Sequence, residues 1–126
     1  MEIHKSAEDY LETILKLQRK QGQVRSIDIV GELHFSKPSV SVAMKKLRES
    51  GHVKMDENGL LTLTPEGEAI ASRVLERHTL LTAMLTAVGV DPETAAAEAC
   101  EVEHCISDST FEKLKQYFEK HSTKSC

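Results

Sequence analysis

The sequence predicts a mainly α fold: a winged helix-turn-helix in its first half and an all-helical part after it. Three observations carry this. Apolar residues recur at helical spacing through most of the 126 residues. The one clear β signal is a pair of short β-prone runs around Asn58-Gly59. Aromatics are 4% and Trp is absent while hydrophobic residues reach 40%, which suits a Leu/Val/Ile/Ala core between helices.

Each element has its own signature. Ser6-x-x-Asp9 opens the first helix like a capping box. Tyr10, Leu11, Ile14, Leu15 and Leu17 form its inner face, Glu12 falls on its polar side, and Gly22 ends it. Ser26 starts "SIDIVGEL", with Ile27, Val30 and Leu33 expected inward. After the turn "HFSK", "PSVSVAMKKLRESG" reads as a helix burying Val40, Met44 and Leu47 and stopping at Gly51. In "HVKMDENGLLTLT", Asn58-Gly59 predicts a two-residue hairpin turn.

Thr64-Pro65 then starts a long helix to about Val88, with Ile70, Val74, Leu81, Leu85 and Val88 on its stripe. His78 falls between Val74 and Leu81, where the stripe asks for an apolar residue. Gly89 stops that helix and Asp91-Pro92 opens the next. Continued helix through Glu98–Ser107 would put Ala95, Ala99, Val102 and Ile106 on an apolar stripe. Cys100, Glu103 and His104, spaced i, i+3, i+4, would then share another side. Ser107-Asp108 leads into a last amphipathic helix with Phe111, Leu114 and Phe118. No repeat or flexible linker interrupts the chain.

No apolar run approaches the roughly 18–20 residues that span a bilayer. "MEIHKSAEDY" lacks a signal-peptide core, so a cytoplasmic location is expected. The three cysteines form no CxxC pair, and Cys100 and Cys105 would point apart on a helix, so reduced thiols are expected. Cys105 and Cys126 have no assigned role, and His4, His34, His52 and His121 read as surface residues. The net charge is −4, but unevenly placed: ten Lys/Arg against seven Asp/Glu through Lys54, then six against thirteen. A basic first half and an acidic second half suggest two tasks.

Helix, turn, helix and hairpin together offer a second helix narrow enough to enter the major groove. That helix is expected to expose Ser36, Lys37, Pro38, Ser39, Ser41, Val42 and Lys45. Lys45, Lys46, Arg48, Lys54 and Arg25 are placed to meet phosphates, with Asn58 at the wing tip. Small Ser39, Ser41 and Val42 favour shape reading and thymine methyl contacts over arginine–guanine pairs. The competing reading is a solvated charged face on an ordinary helical bundle.

Asp9, Glu12, His78, Cys100, Glu103 and His104 would meet if the first helix packs beside the long helix and the Glu98–Ser107 segment. Singly, each has an ordinary explanation as a cap, a solvated acid or a core residue. Gathered, three carboxylates and a thiol are unfavourable without a cation. Two other classes use the same residues: a winged-helix regulator sensing oxidation at Cys100 or Cys105, and a small thiol enzyme with a Cys100–His104 nucleophile–base pair. No glycine-rich oxyanion loop accompanies the second.

"SAEDYLETILKL", "VRSIDIVGEL", "FSKPSVSVAMKKLRESG", "LTPEGEAIA", "ERHTLL" and "EACEVEHCIS" resemble the metal-dependent repressors of the diphtheria-toxin-repressor and manganese-transport-regulator family, from about Ser6 to Phe118. The spaced "H…EACxxEH" pattern is the most specific part. The resemblance implies a winged helix-turn-helix DNA-binding domain over 1–72 and a helical metal-binding and dimerisation domain over 73–126. It implies the short, manganese-type architecture without an SH3-like domain, repressing metal-uptake genes when metal is replete. Asp9, Glu12, His78, Glu103 and His104 fall where the manganese type keeps its ligands; Cys100 follows the iron type, which usually has methionine where this chain has Asp9. Two further iron-type ancillary ligands are replaced by Thr82 and Ala96.

One full site from Asp9, Cys100, Glu103 and His104 is therefore expected, with Glu12 and His78 as a second or shared site. The thiolate moves preference toward Fe²⁺, with Mn²⁺ close behind, and Zn²⁺ and Co²⁺ are expected to bind in vitro. The expected partners are palindromic operator DNA and a second copy of the chain. That copy would meet it through the end of the long helix and the Asp108–His121 helix; no membrane, organic substrate or enzymatic activity is implied.

Overall fold

The computed structural model describes residues 5–122. They form α1 (Lys5–Gln21), α2 (Ser26–Leu33), α3 (Lys37–Glu49), β1 (Val53–Met55), β2 (Leu61–Leu63), α4 (Pro65–Ala87), α5 (Pro92–Val102) and α6 (Asp108–Ser122). The mainly α architecture with one hairpin is the one the sequence predicts. The chain divides into two compact units within α4, one through Arg73 and one from Val74 onward. Among the described residues no helix is long and apolar enough to cross a membrane. His4 and Cys126 lie outside the described residues.

In the first unit, α1 buries Tyr10, Leu11, Ile14, Leu15 and Leu17 as its periodicity predicts. Glu12 is buried with them, which corrects its expected place on the polar side. α2 corrects a second expectation: Ile27 is exposed and Ile29 is the core residue, with Val30 and Leu33 half-buried. "SIDIVGEL" offers two apolar phases, and the helix takes the one that stacks Ile29 and Leu33 one turn apart. His34 ends it in the left-handed region at φ 59°. Ser36 then caps α3, its Oγ accepting from the Ser39 amide at 3.2 Å, and Val40, Met44 and Leu47 turn inward.

β1 and β2 pair antiparallel with Val53 opposite Leu63 and Met55 opposite Leu61. The connection runs over 56–60, so the two-residue turn expected at Asn58-Gly59 is not formed. A type I′ turn needs positive φ at both central residues, and here only Gly59 has it, at 82°. Asp56 organises the longer loop instead: its Oδ1 accepts from the Asn58 and Leu60 amides at 2.8 and 2.9 Å. Its amide donates to the Leu60 carbonyl at 3.0 Å. Val24 bridges β2 through its carbonyl, which accepts from the Leu61 amide at 2.8 Å.

Thr64 joins the hairpin to α4. Its hydroxyl donates to the Gly51 carbonyl at 2.7 Å and accepts from the Gly67 amide at 3.1 Å. Its own amide reaches the His52 carbonyl at 3.1 Å. Position 67 must be glycine for this docking, since a Cβ there would sit 2.0 Å from that carbonyl oxygen.

The second unit has a small apolar core of Val74, Leu81, Ala95, Ala99 and Phe111. α4 ends at Ala87, leaving Val88, expected on its stripe, 79% exposed. Asp91 caps α5, its Oδ2 accepting from the Thr94 amide at 3.1 Å. α5 stops at Val102, so the continuous helix expected to Ser107 is a helix followed by a turn, and Val102 is exposed while Glu103 is buried. The physical reason is visible in the turn. The Arg77 guanidinium takes the carbonyls of Glu103 and Ile106, which a continuing helix would use in its own ladder. Ser107 caps α6 instead, accepting from the Thr110 amide at 3.1 Å.

Candidate metal centre and DNA-reading face

The DNA-reading candidates share one property, solvent access. Arg25, Ser36, Lys37, Pro38, Ser39, Ser41, Val42, Lys45, Lys46, Arg48, Lys54 and Asn58 are all exposed. On α3 this follows from the helical period: with Val40, Met44 and Leu47 inward, Ser41, Val42 and Lys45 must point out. Val42 is 54% exposed, so its methyl groups are open to a partner. Two candidates also hold the fold. Ser36 is the α3 cap, and its hydroxyl donates to Ser39 Oγ at 2.8 Å. Arg25 precedes α2 and its Nε donates to the Asn58 carbonyl at 3.3 Å, tying the wing tip to the helix-turn-helix.

The metal candidates fall into two groups. Asp9 and Glu12 lie about one turn apart on α1 in the first unit. Lys5 Nζ stands 3.3 Å from Asp9 Oδ2, and Lys16 Nζ stands 3.8 Å from Glu12 Oε2. In the second unit, His78 comes from α4, Cys100 from α5, Glu103 from the α5 C-cap and His104 from the turn that follows. Cys100 and His104 are half-buried, and Cys100 and Cys105 form no disulfide.

Within that unit the structure brings His78 and Glu103 together, with Nδ1 3.1 Å from Oε1. Glu103 is 1% exposed, and its second oxygen, Oε2, is buried with no hydrogen-bond partner among the described residues. An orphaned carboxylate oxygen at that depth is costly, and a cation is the partner that relieves it. The donor set therefore fits a divalent metal. A hydrogen on His78 Nδ1 donated to Oε1 leaves Nε2 with its lone pair, the usual arrangement for a ligating imidazole.

Sequence reasoning missed Arg77. The stripe position between Val74 and Leu81 belongs to it rather than to His78: Arg77 is 7% exposed and His78 is half-buried. Its Nη1 donates to the carbonyls of Glu103 at 3.0 Å and Ile106 at 2.8 Å, its Nη2 to the Asp108 carboxylate, and its Cζ lies 5.4 Å from the Phe111 ring centre. The signal was available in the spacing, since Val74, Arg77 and Leu81 follow the i, i+3, i+7 pattern of one buried face.

Comparison with known proteins agrees with this picture along the chain. Residues 2–61 match the N-terminal DNA-binding domain of iron-dependent repressors, and residues 64–126 match their metal-binding and dimerisation domain. The transcriptional regulator MntR of Escherichia coli is 34% identical over 117 residues, covering 93% of this chain and 76% of its own length. The HTH-type transcriptional regulator MntR of Listeria monocytogenes is 34% identical over 119 residues, covering 92% and 84%. Among solved structures, the manganese regulator SloR matches with a TM-score of 0.80 at 28% identity, over 94% of this chain and 55% of its own. A manganese-dependent transcriptional repressor in complex with manganese matches with a TM-score of 0.82 at 29% identity, over 90% and 52%. The chain thus spans little more than half the length of those two structures. It belongs to the iron-dependent repressor family, the metal-responsive transcriptional repressors of the diphtheria-toxin-repressor and manganese-transport-regulator type.

Proposed function

We propose that this chain is a cytoplasmic, metal-activated repressor of metal-uptake genes that binds palindromic operator DNA as a homodimer. Residues 1–72 would read DNA, and residues 73–126 would bind metal and dimerise. The observation that carries the proposal is the buried, half-satisfied Glu103 carboxylate beside His78, in a chain whose other half is a DNA-binding domain of this family.

His78, Cys100, Glu103 and His104, joined by Asp9 and Glu12 of α1, are the residues that would hold the ion. When bound, a divalent cation supplies the positive charge and coordination bonds that this set of carboxylates, imidazoles and thiolate needs. α1 is also the spine of the DNA-reading unit. Between Asp9 and Glu12 it carries Tyr10 and Leu11 into the core. Tyr10 meets Phe35, next to the α3 cap, edge to face at 5.9 Å. A constraint on Asp9 and Glu12 is therefore felt where the recognition helix begins. In a dimer, fixing α1 fixes the spacing of two such helices, and half-site spacing decides operator affinity.

The carboxylates and the relatives named for manganese support Mn²⁺, and the Cys100 thiolate supports Fe²⁺. Anaerobic fluorescence anisotropy on a DNA pool enriched for binding tests the proposal with chelator, Mn²⁺, Fe²⁺ or Zn²⁺. Tight binding is expected with Mn²⁺ or Fe²⁺ and not with chelator. The coupling is reciprocal, so operator DNA should tighten metal binding by about 5–150-fold. Equal DNA affinity under chelator would sink the proposal.

A further inference from the structure

We propose that Arg77 is the positioning residue of this metal centre, holding the turn from Glu103 to Asp108 in the conformation that sets the Glu103 carboxylate against His78. The inference rests on the metal reading above. Arg77 and His78 are consecutive on α4, and they grip two ends of the same residue. Arg77 holds the Glu103 carbonyl at 3.0 Å, while His78 meets the Glu103 carboxylate at 3.1 Å. The second donation, to the Ile106 carbonyl at 2.8 Å, fixes the far side of the turn that carries His104. A cation–π contact with Phe111, whose ring centre lies 5.4 Å from Cζ, adds a further hold on the guanidinium.

What Arg77 leaves alone is equally informative. None of its described hydrogen bonds goes to the Glu103 carboxylate, whose Oε2 has no hydrogen-bond partner among the described residues. An arginine bonded there would occupy the oxygen that a cation needs. A guanidinium so near a cation site would also oppose binding by charge, and Asp108 at its other end offsets that. Arginine suits this work because its fork presents several donors in one plane, so a single rigid group can span two carbonyls and a carboxylate. A lysine ammonium has one flexible point of attachment.

The test uses the full chain, reduced and anaerobic. Mn²⁺ affinity is measured by calorimetry, Co²⁺ coordination by its absorption bands, and stability by thermal unfolding in chelator. Arg77→Lys keeps the charge and stem but loses the fork. Mn²⁺ affinity is expected to fall about 10–100-fold, the usual cost of losing a group that orients ligands, with a shift in the Co²⁺ bands. Asp108→Asn, which alters an exposed partner, should weaken Mn²⁺ binding in the same direction by less.

A lower unfolding temperature with wild-type affinity and Co²⁺ bands would make Arg77 merely structural and overturn the proposal. Should Arg77→Lys fail to fold, Asp108→Asn decides alone through geometry, since loss of its charge weakens Mn²⁺ binding in any case: shifted Co²⁺ bands support the proposal, and unchanged bands overturn it. If the wild-type chain binds neither ion, the metal reading itself fails and takes this inference with it. Wild-type binding alongside unaffected variants removes only the role of Arg77.

Discussion

Through Arg73, the inward positions of α1, α2, α3 and the hairpin hold Leu11, Ile14, Ile29, Val40, Met44, Val53 and Leu61, with Glu12 as the buried acid. From Val74 onward, the buried apolar residues among those described are Val74, Leu81, two alanines and Phe111, and Arg77 and Glu103 are buried with them. The contrast separates two ways of using an interior. The first unit is held by apolar burial, worth roughly 25 cal/mol per Å², and, Glu12 apart, displays its charged chemistry outside. The second buries its chemistry, and its stability depends on whether those charges are satisfied.

The largest expected effect belongs to the apolar unit. Ile14→Ala removes a fully buried side chain and should cost roughly 2–5 kcal/mol in urea unfolding under chelator. Glu103→Gln should behave in the opposite way. The amide keeps an acceptor for His78 and removes a buried charge, so the chelated protein should lose no stability. What it should lose is stabilisation by Mn²⁺, about 2.7 kcal/mol in the wild type at a hundredfold excess over Kd. Were Glu103→Gln as damaging as Ile14→Ala under chelator, the contrast between the two interiors would not stand.

The same contrast explains what could be read from the sequence. Periodicity located all six helices of the described residues and the inner faces of α1 and α3, because in those elements apolar residues and buried residues coincide. It failed where they do not. Ile27 is apolar and exposed, Arg77 is charged and buried, and Glu12 is buried where the pattern put solvent. The end of α5 was illegible for a longer-range reason: a helix from 98 to 107 fits its local pattern, and the arginine that ends it lies 26 positions before Glu103. His78 and Glu103 were visible as chemistry through residue type and family resemblance. That they meet at hydrogen-bond distance required the fold.

A smaller effect is expected where the hairpin docks on α4. Gly67→Ala would place a Cβ 2.0 Å from the His52 carbonyl oxygen, a backbone atom that cannot move without shifting β1 or the start of α4. Overpacking of this kind costs typically 1–3 kcal/mol. Because the strain falls on the base of the wing, DNA affinity should fall with stability, while Mn²⁺ affinity of the folded protein should stay near that of the wild type. Equal losses of both would mean that the docking serves the metal centre too.

The smallest effect concerns a charge that the first unit keeps outside. Asp56 is exposed, yet its Oδ1 holds the Asn58 and Leu60 amides and so shapes the wing whose tip Arg25 also grips. Asp56→Ala removes two solvent-facing hydrogen bonds, each worth about 0.5–1.5 kcal/mol when fully formed, and at this exposure the total should be near 1 kcal/mol. The loss should be local. Amide exchange at Asn58 and Leu60 should quicken, exchange at Met44 should stay slow, and affinity should weaken for all DNA sequences alike. A global loss of exchange protection would mean that the wing's polar loop is part of what holds the core together. The division between an apolar interior and a working polar surface would then fail in the unit where it looks cleanest.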